Sequence, residues 1–266
     1  MSATGDQAVV VSVPNYRDAG GHAAANGARV RTGLLDRSVA LDRVSDEDLA
    51  TLERAGLRTV FDLRTTDEQA RFPDRLPNGA ELVSLDVLAD EGEADYGSVA
   101  AHLRDPERFT HTGTEADMVG FNIATYRDLV RLESARGAYR AFFGSLADGG
   151  APALVHCTGG KDRTGWAVAA LLLLLGVSEA DVMADYLTSH APVRALFAPT
   201  IDEFVERGGE LPVIEAMLSA RPDYLRSALD TVAADHGSIE AYFSEALGLD
   251  AAVQARLRDA FLVSAE

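Results

Sequence analysis

Residues 151–165 read Ala-Pro-Ala-Leu-Val-His-Cys-Thr-Gly-Gly-Lys-Asp-Arg-Thr-Gly. The apolar run over residues 151–156 suits a buried strand, and the Ala- and Leu-rich run from Thr164 to Gly176 is typical of a helix that ends at a glycine. The stretch therefore predicts a strand, a tight turn and a helix in direct succession. Cys157 would lie at the turn between them.

The same turn holds the only cysteine of the chain, Cys157, and its only lysine, Lys161. All the other basic residues, of 24 Lys and Arg in total, are arginines. Lysine carries a compact point charge, whereas the arginine side chain ends in a planar fork. A lysine retained at one position indicates that a compact ammonium is needed there, and the turn is interpreted as a reaction site.

The spacing within the turn predicts that it binds a phosphoryl group. Gly159 and Gly160 allow several backbone N–H groups to point inward, at the positive end of the helix dipole, where they form an anion-binding nest. The same field favours the thiolate of Cys157 over the thiol. Arg163, six residues after the cysteine, adds a fork that matches two phosphate oxygens. The predicted phosphate-binding residues are Thr158, Gly159, Gly160 and Lys161.

The Cys-x5-Arg spacing is that of cysteine-dependent phosphatases, and the string over residues 156–165 resembles the bacterial tyrosine/serine phosphatase family typified by the mycobacterial phosphatase B. Further matches to that family are Asn-Tyr-Arg-Asp-Ala-Gly-Gly at 15–21, Leu-Arg-Thr-Val-Phe-Asp-Leu-Arg at 57–64 followed by Glu68, and Gly-Ser-Ile-Glu-Ala-Tyr at 237–242. The resemblance spans roughly residues 14 to 250. It implies phosphotyrosine hydrolysis, with phosphoserine and phosphoinositides as further substrate classes.

The residues of the turn predict a covalent mechanism that needs no metal ion. The Cys157 thiolate attacks phosphorus, Arg163 and the loop N–H groups bear the developing charge, and water hydrolyses the cysteinyl-phosphate. Thr164 either hydrogen-bonds the sulfur as it leaves or caps the helix. No closed set of zinc ligands is expected from one thiol and six scattered histidines. His156 is expected to order the loop by hydrogen bonding.

Two residues are candidates for the general acid that protonates the leaving oxygen. Asp86 follows a predicted strand over 81–85 and matches the loop acid of the family, and it is the slightly favoured candidate. Asp162 lies inside the phosphate loop and resembles the in-loop acid of myotubularin-type lipid phosphatases. Asp62 is interpreted as structural, within a strand and paired with an arginine.

The predicted fold is α/β, a cysteine-phosphatase-like central and mostly parallel sheet flanked by helices, as one phosphatase domain over residues 1–266. Ser45 and Ser178 are predicted helix caps, and strands are predicted over 58–63 and 81–85. Residues 89–120 are predicted to be a long loop, either mobile or folded over the site, followed by helices over 122–134 and 138–147. The chain from Ser178 is predicted to be helical, with breaks at Pro192, Pro199, Pro212 and Pro222.

Within that C-terminal part, residues of about 191–230 form amphipathic segments. They are predicted either to pack on the core as extra helices or to form a helical lid over the site, as the resemblance suggests.

The composition limits the partners and the compartment. A formal net charge of −18 disfavours nonspecific binding to nucleic acid or anionic membranes, while screening over about 10 Å lets a cationic nest coexist with an acidic exterior. The apolar segment around residues 171–175 is too short to span a bilayer, and the N-terminus lacks signal-peptide features. A cytoplasmic location is expected, because a single thiol makes no disulfide within the chain. The sequence does not indicate an oligomeric state.

Other functions that use a similar turn are kept as alternatives. They are a phosphatase directed at phosphoinositides, for which Lys161 would bind a second negative group, and a noncatalytic phospho-binding module on the same fold. Lys161 could instead serve only to stabilise the thiolate. Sulfur transfer of the rhodanese type does not account for the Lys-Asp-Arg-Thr-Gly ending. Arsenate reductases need further cysteines, which this chain lacks.

Overall fold

A five-stranded sheet organises the computed structural model, which describes residues 10–90 and 113–264. The strands in chain order are β1 (Arg17–Asp18), β2 (Arg29–Val30), β3 (Leu35–Ser38), β4 (Thr59–Asp62), β5 (Glu81–Ser84), β6 (Ala153–His156) and β7 (Leu262–Val263). The main sheet has the order β1-β3-β6-β4-β5, and β2 pairs with β7 in a separate two-stranded sheet. Within the main sheet only the β1–β3 pair is antiparallel.

The central strand β6 places the turn at the carboxyl edge of the sheet. It runs parallel to both neighbours, and His156 is in register with Ser38 of β3 and Asp62 of β4. Because parallel strands end at the same edge, the residues that follow these three strands converge there. Cys157 is therefore surrounded by the loops that follow β3 and β4.

Helices flank the sheet and make up most of the rest of the chain. In chain order they are α1 (Asp46–Arg54), α2 (Thr66–Arg71), α3 (Glu115–Arg131), α4 (Glu133–Ala147), α5 (Arg163–Leu174), α6 (Glu179–Leu187), α7 (His190–Leu196), α8 (Ala198–Glu206), α9 (Leu211–Leu218), α10 (Pro222–His236), α11 (Ile239–Ala241), which continues as a π-helical turn over Tyr242–Ala246, and α12 (Ala251–Phe261). This architecture confirms the predicted fold class. Among the described residues, no helix combines the length and the apolar character that crossing a membrane would require.

The predicted boundary between the long loop and the first flanking helix is wrong. The helix α3 begins at Glu115 rather than at 122, because Thr114 and Asp117 form a reciprocal capping box that starts it within the polar stretch. The next helix, α4, begins at Glu133 rather than at 138. Of the predicted loop, residues 89–90 lie in a turn and residues 91–112 fall outside the described residues.

Helices α7, α8 and α9, called the cover below, form a unit with an apolar cluster of its own. The residues buried in it are Val193, Phe197, Ile201, Phe204, Val213, Ile214, Met217 and Leu218. The prolines at the predicted helix breaks lie at helix starts. Pro199, Pro212 and Pro222 occupy the first turns of α8, α9 and α10. Pro192 lies in the first turn of α7.

Candidate active site

The turn after β6 forms the floor of a cavity of about 90 Å³. Cys157 is 3 % exposed and lines this cavity together with the residues that follow it. The cavity is lined by Cys157, Thr158, Gly159, Lys161, Asp162 and Arg163 from the loop, Leu88, Phe121, Asn122 and Thr125 from neighbouring segments, and Val193, Phe197, Met217 and Leu218 from the cover. The cavity thus has a polar floor and a largely apolar cover.

The carbonyl groups of the loop point away from this cavity, toward donors in the protein. Thr158 O accepts from the backbone N–H of Ala40, and Gly159 O and Gly160 O accept from Asn15 Nδ2 at 3.2 and 3.0 Å. In a planar trans peptide the next N–H group points opposite to the carbonyl. The N–H groups of the following residues therefore point away from Ala40 and Asn15, which is the direction that an anion nest requires.

Gly160 is required by a close approach of the backbone. It has φ +62°, and a Cβ atom at this position would lie 2.1 Å from Ser38 O. Any side chain would push the loop off the end of β3. Glycine is therefore the residue that allows the loop to bend here.

The N-terminal Asn15–Gly21 stretch supports the loop from outside. Besides the two bonds from Asn15, the loop receives a hydrogen bond of 2.8 Å from the buried Arg37 to Gly160 O. Asp185 of α6 fixes Arg37 and Arg17, each at 2.9 Å. The Asn15–Gly21 stretch therefore supports the phosphate loop. The motif in the sequence does not indicate this role.

The guanidinium of Arg163 is held by the carboxylate of Glu68. Glu68 is part of the family resemblance in the sequence, but the sequence does not indicate its role. Glu68 of α2 accepts from Nη1 of Arg163 at 2.6 Å and from Nη2 at 3.1 Å, and it also accepts from the Thr158 hydroxyl. Burial alone would raise the pKa of Glu68, but the charge and hydrogen bonds of Arg163, with Thr158 and the Thr65 N–H, lower it from 4.5 to about 2. Glu68 therefore stays ionised and orients the guanidinium.

We expect Glu68→Gln to reduce kcat/KM for an aryl phosphate at least about tenfold, equivalent to about 1.4 kcal/mol. The neutral amide cannot balance the buried Arg163 charge, so the guanidinium loses its fixed orientation. The matched control is Asp67→Asn in the same helix, whose carboxylate is exposed and pairs with Arg71. Steady-state kinetics of both variants provide the test, and a Glu68→Gln enzyme within twofold of wild type would contradict this role.

His156 belongs to a buried cluster of charges behind the loop. Its Nε2 lies 3.1 Å from Asp74 Oδ2, and its Nδ1 lies 3.3 Å from Cys157 O. The carboxylates of Asp62 and Asp74 both pair with Arg64, each at 2.8 Å. The pairing of Asp62 with an arginine confirms the prediction from the sequence. Potential ligand atoms of Asp62, Asp74 and His156 lie within 4.8 Å of one another, but Arg64 already supplies the cation between the carboxylates. The cluster is an ion-pair network rather than a metal site.

This network predicts how stability depends on pH. Burial lowers the pKa of His156, but Asp74 and Asp62 more than offset that effect and raise it above 6.5. The folded state therefore binds the proton more tightly than the unfolded state does. The contribution of His156 is fully present below about pH 6.5 and is lost as the pH rises through the raised value.

We expect the Tm of the wild type to fall between pH 6.5 and 9 by more than the Tm of His156→Gln over the same range. Thermal unfolding followed by circular dichroism at each pH measures both slopes. His190→Gln, which changes a histidine outside the network, should keep the wild-type slope. Equal slopes for wild type and His156→Gln would remove His156 as the cause.

The structure brings Asp162 to the cavity and does not bring Asp86 there. Asp162 lines the cavity, and its Oδ1 accepts from Tyr126 OH at 3.0 Å. The carboxylate of Asp86 instead accepts from the backbone N–H of Thr66 at 2.9 Å and of Leu88 at 3.0 Å. Asp86 thus stabilises the first turn of α2 and lines a separate open depression. Tyr126 was not identified from the sequence.

The other two predicted site residues with polar side chains, Lys161 and Thr164, are both buried. The ammonium of Lys161 donates to two backbone carbonyls at the end of α9, Met217 O and Ser219 O. Thr164 is fully buried in the first turn of α5, and its hydroxyl has no hydrogen-bond partner within the part of the chain that the structure describes.

Comparison with known proteins agrees with this geometry. A sequence model of the tyrosine phosphatase family matches residues 9–263. A proposed tyrosine-protein phosphatase of Cupriavidus necator is 34% identical over 91% of this chain and 84% of its own length. The triple specificity protein phosphatase PtpB of Mycobacterium tuberculosis is 32% identical over 93% of this chain and 96% of its own length. These matches cover the strands and helices around Cys157, and the chain belongs to the tyrosine phosphatase family.

Proposed function

We propose that this enzyme hydrolyses phosphotyrosine in proteins through a cysteinyl-phosphate intermediate. The observation that carries the proposal is the loop after β6, in which Cys157 and Arg163 line one cavity while the loop carbonyls are bonded to Ala40 and Asn15. Phosphoserine, phosphothreonine and phosphoinositides are the further substrate classes that the family resemblance suggests, and the triple specificity named for one relative is in keeping with more than one class. A noncatalytic binding module would have no need of the Cys157 thiol.

In the first step the thiolate of Cys157 attacks phosphorus, so that an S–P bond forms and the bond from phosphorus to the leaving oxygen breaks. The loop N–H groups and Arg163 stabilise the charge on the other phosphate oxygens. Asp162 serves as the general acid that gives a proton to the leaving oxygen. The alcohol or phenol product leaves with that proton.

In the second step water attacks the phosphorus of the cysteinyl-phosphate. The Asp162 carboxylate takes a proton from this water, an O–P bond forms, and the S–P bond breaks to give inorganic phosphate and the Cys157 thiolate. Thr164 is the candidate donor to the departing sulfur, since its buried hydroxyl is uncommitted among the described residues. The acid lost its proton to the alcohol or phenol and regains one from water, so the enzyme returns to its starting state.

The cover is proposed to be a lid over this site. Val193 of α7, Phe197 between α7 and α8, and Met217 and Leu218 of α9 line the catalytic cavity. The three helices share one apolar cluster, and because Met118 of α3 also packs against it, opening the cover must separate α9 from α3. A protein substrate would then reach Cys157 only when the cover opens. Because its nucleophile is its only thiol, the enzyme is proposed to work in a reducing compartment such as the cytoplasm.

The decisive experiment is the hydrolysis of p-nitrophenyl phosphate and of a phosphotyrosine peptide, each with and without a chelator. Turnover that survives the chelator and is inhibited by vanadate supports the proposal. An absence of turnover combined with tight phosphate binding would instead show a noncatalytic module. Turnover that the chelator abolishes would replace the cysteine mechanism by a metal-dependent one.

A further inference from the structure

The ammonium group of Lys161 is enclosed by oxygen atoms rather than directed at the phosphate nest. It donates to Met217 O at 2.9 Å and to Ser219 O at 3.0 Å, and it lies 3.2 Å from Asp162 Oδ1. The residue is only 3 % exposed, and its Nζ lies 5.8 Å from the centre of the Tyr224 ring. The two carbonyls take two of the three N–H donors of the ammonium, and the Asp162 carboxylate lies close enough to pair with its charge.

Two of the three acceptors belong to the end of the cover. Met217 lies in the last turn of α9, and Ser219 is the residue that caps it. The last carbonyls of a helix have no partner within the helix and carry the negative end of its dipole. Lys161 therefore satisfies carbonyls that would otherwise be left without partners beside the cavity.

This arrangement also explains why the chain keeps one lysine among arginines. Three acceptors that converge on one point fit a compact ammonium, whereas a guanidinium spreads its donors over a plane. A fork at position 161 could not reach both carbonyls of α9 and the Asp162 carboxylate at once. The choice of residue type follows from the bond to the cover and does not require a second phosphate in the substrate.

We infer that Lys161 fastens helix α9 to the phosphate loop and thereby determines which substrates, by their bulk, reach Cys157. The part that concerns substrates rests on the proposed function. While the ammonium holds α9, two of its three donors are committed to the cover rather than to a second phosphate of the substrate. Small monophosphate esters enter beneath the fastened cover, and bulky phosphoproteins require its release.

The test compares how fast Cys157 reacts with N-methylmaleimide and with the much larger fluorescein maleimide. Both reagents attack the same thiolate, so any change in thiolate content cancels in the ratio of the two rates. We expect Lys161→Met, which keeps the length of the side chain but has no donor, to lower the small-to-bulky ratio at least fivefold. Lys161→Gln, which stays polar, is the second variant and should lower the ratio in the same direction.

Two controls separate release of the cover from general unfolding. Arg194→Met removes a half-exposed cation that pairs with Glu215 within the cover, and it should keep the ratio within twofold of wild type. In Lys161→Met, hydrogen exchange should speed up over residues 190–219 and not in the sheet. A ratio that stays within twofold of wild type in a folded Lys161 variant overturns the inference, as does faster exchange throughout the core.

The ratio of the two maleimide reaction rates does not depend on phosphate hydrolysis. It can therefore be measured even if the chain hydrolyses no phosphate ester. Failure of the proposed function would appear as absent hydrolysis with the ratio still lowered. The substrate part is tested by kcat/KM, which should rise at least threefold for a phosphotyrosine protein relative to p-nitrophenyl phosphate in the Lys161 variants. An unchanged ratio of the two kcat/KM values would overturn the assignment of Lys161 as a specificity residue.

Discussion

Cys157→Ser should lower the turnover of p-nitrophenyl phosphate by roughly four orders of magnitude or more while phosphotyrosine peptide still binds. Ten thousandfold corresponds to about 5.4 kcal/mol of lost transition-state stabilisation, which is the scale expected when a covalent nucleophile is removed. Serine has nearly the same size as cysteine, so the inward N–H groups and Arg163 keep their positions. A serine hydroxyl is a much weaker acid and nucleophile than a thiol, so it does not replace the thiol in the attack on phosphorus.

Turnover is measured by steady-state kinetics, and peptide binding by titration calorimetry. Arg163→Lys is the contrasting variant, because it keeps the thiol and should lose peptide affinity along with turnover. The wild type offers an independent check. Its single cysteine means that one equivalent of an alkylating reagent should abolish activity. A Cys157→Ser enzyme within tenfold of wild type would remove the covalent mechanism.

The loop could be predicted because its chemistry is contiguous in the sequence. Cys157, the glycines and Arg163 lie within seven positions, so the strand-to-helix geometry alone brings them together. Their supports lie far away along the chain. Glu68 is 95 positions from Arg163, and Asn15 is 145 positions from Gly160. No local pattern specifies such contacts, because they depend on how the parallel strands are ordered.

The order of strands also explains why Asp86, which the sequence favours as the acid, does not lie at the cavity. Asp86 does follow a parallel strand at the correct edge of the sheet, as the pattern indicates. However, β4 lies between β5 and β6, so the exit of β5 is two strand spacings, about 10 Å, from Cys157. Local capping signals were more dependable. Ser45 and Ser178 cap α1 and α6 as predicted, since such bonds join residues three positions apart.

We expect Asp162→Asn to discriminate strongly between leaving groups. The amide keeps an oxygen that accepts from Tyr126 OH, so the geometry is preserved, but it has no proton to give. For a phosphoserine peptide, whose alkoxide needs protonation, kcat/KM should fall about 10²- to 10⁴-fold. For p-nitrophenyl phosphate, whose phenolate leaves readily, the loss should stay below about tenfold. Asparagine also changes the contact with Lys161, and a phosphotyrosine peptide of the same length reports that effect separately, because its phenolate needs less protonation than an alkoxide.

Asp86→Asn is the matched control, because it makes the same chemical change in the competing candidate. Its amide weakens the hydrogen bonds to the Thr66 and Leu88 N–H groups, which should cost about 1 kcal/mol of stability and leave the dependence on the leaving group unchanged. The two variants thus separate a proton donor from a helix cap. If Asp86→Asn is the variant that spares only the good leaving group, the acid must enter from the loop after β5.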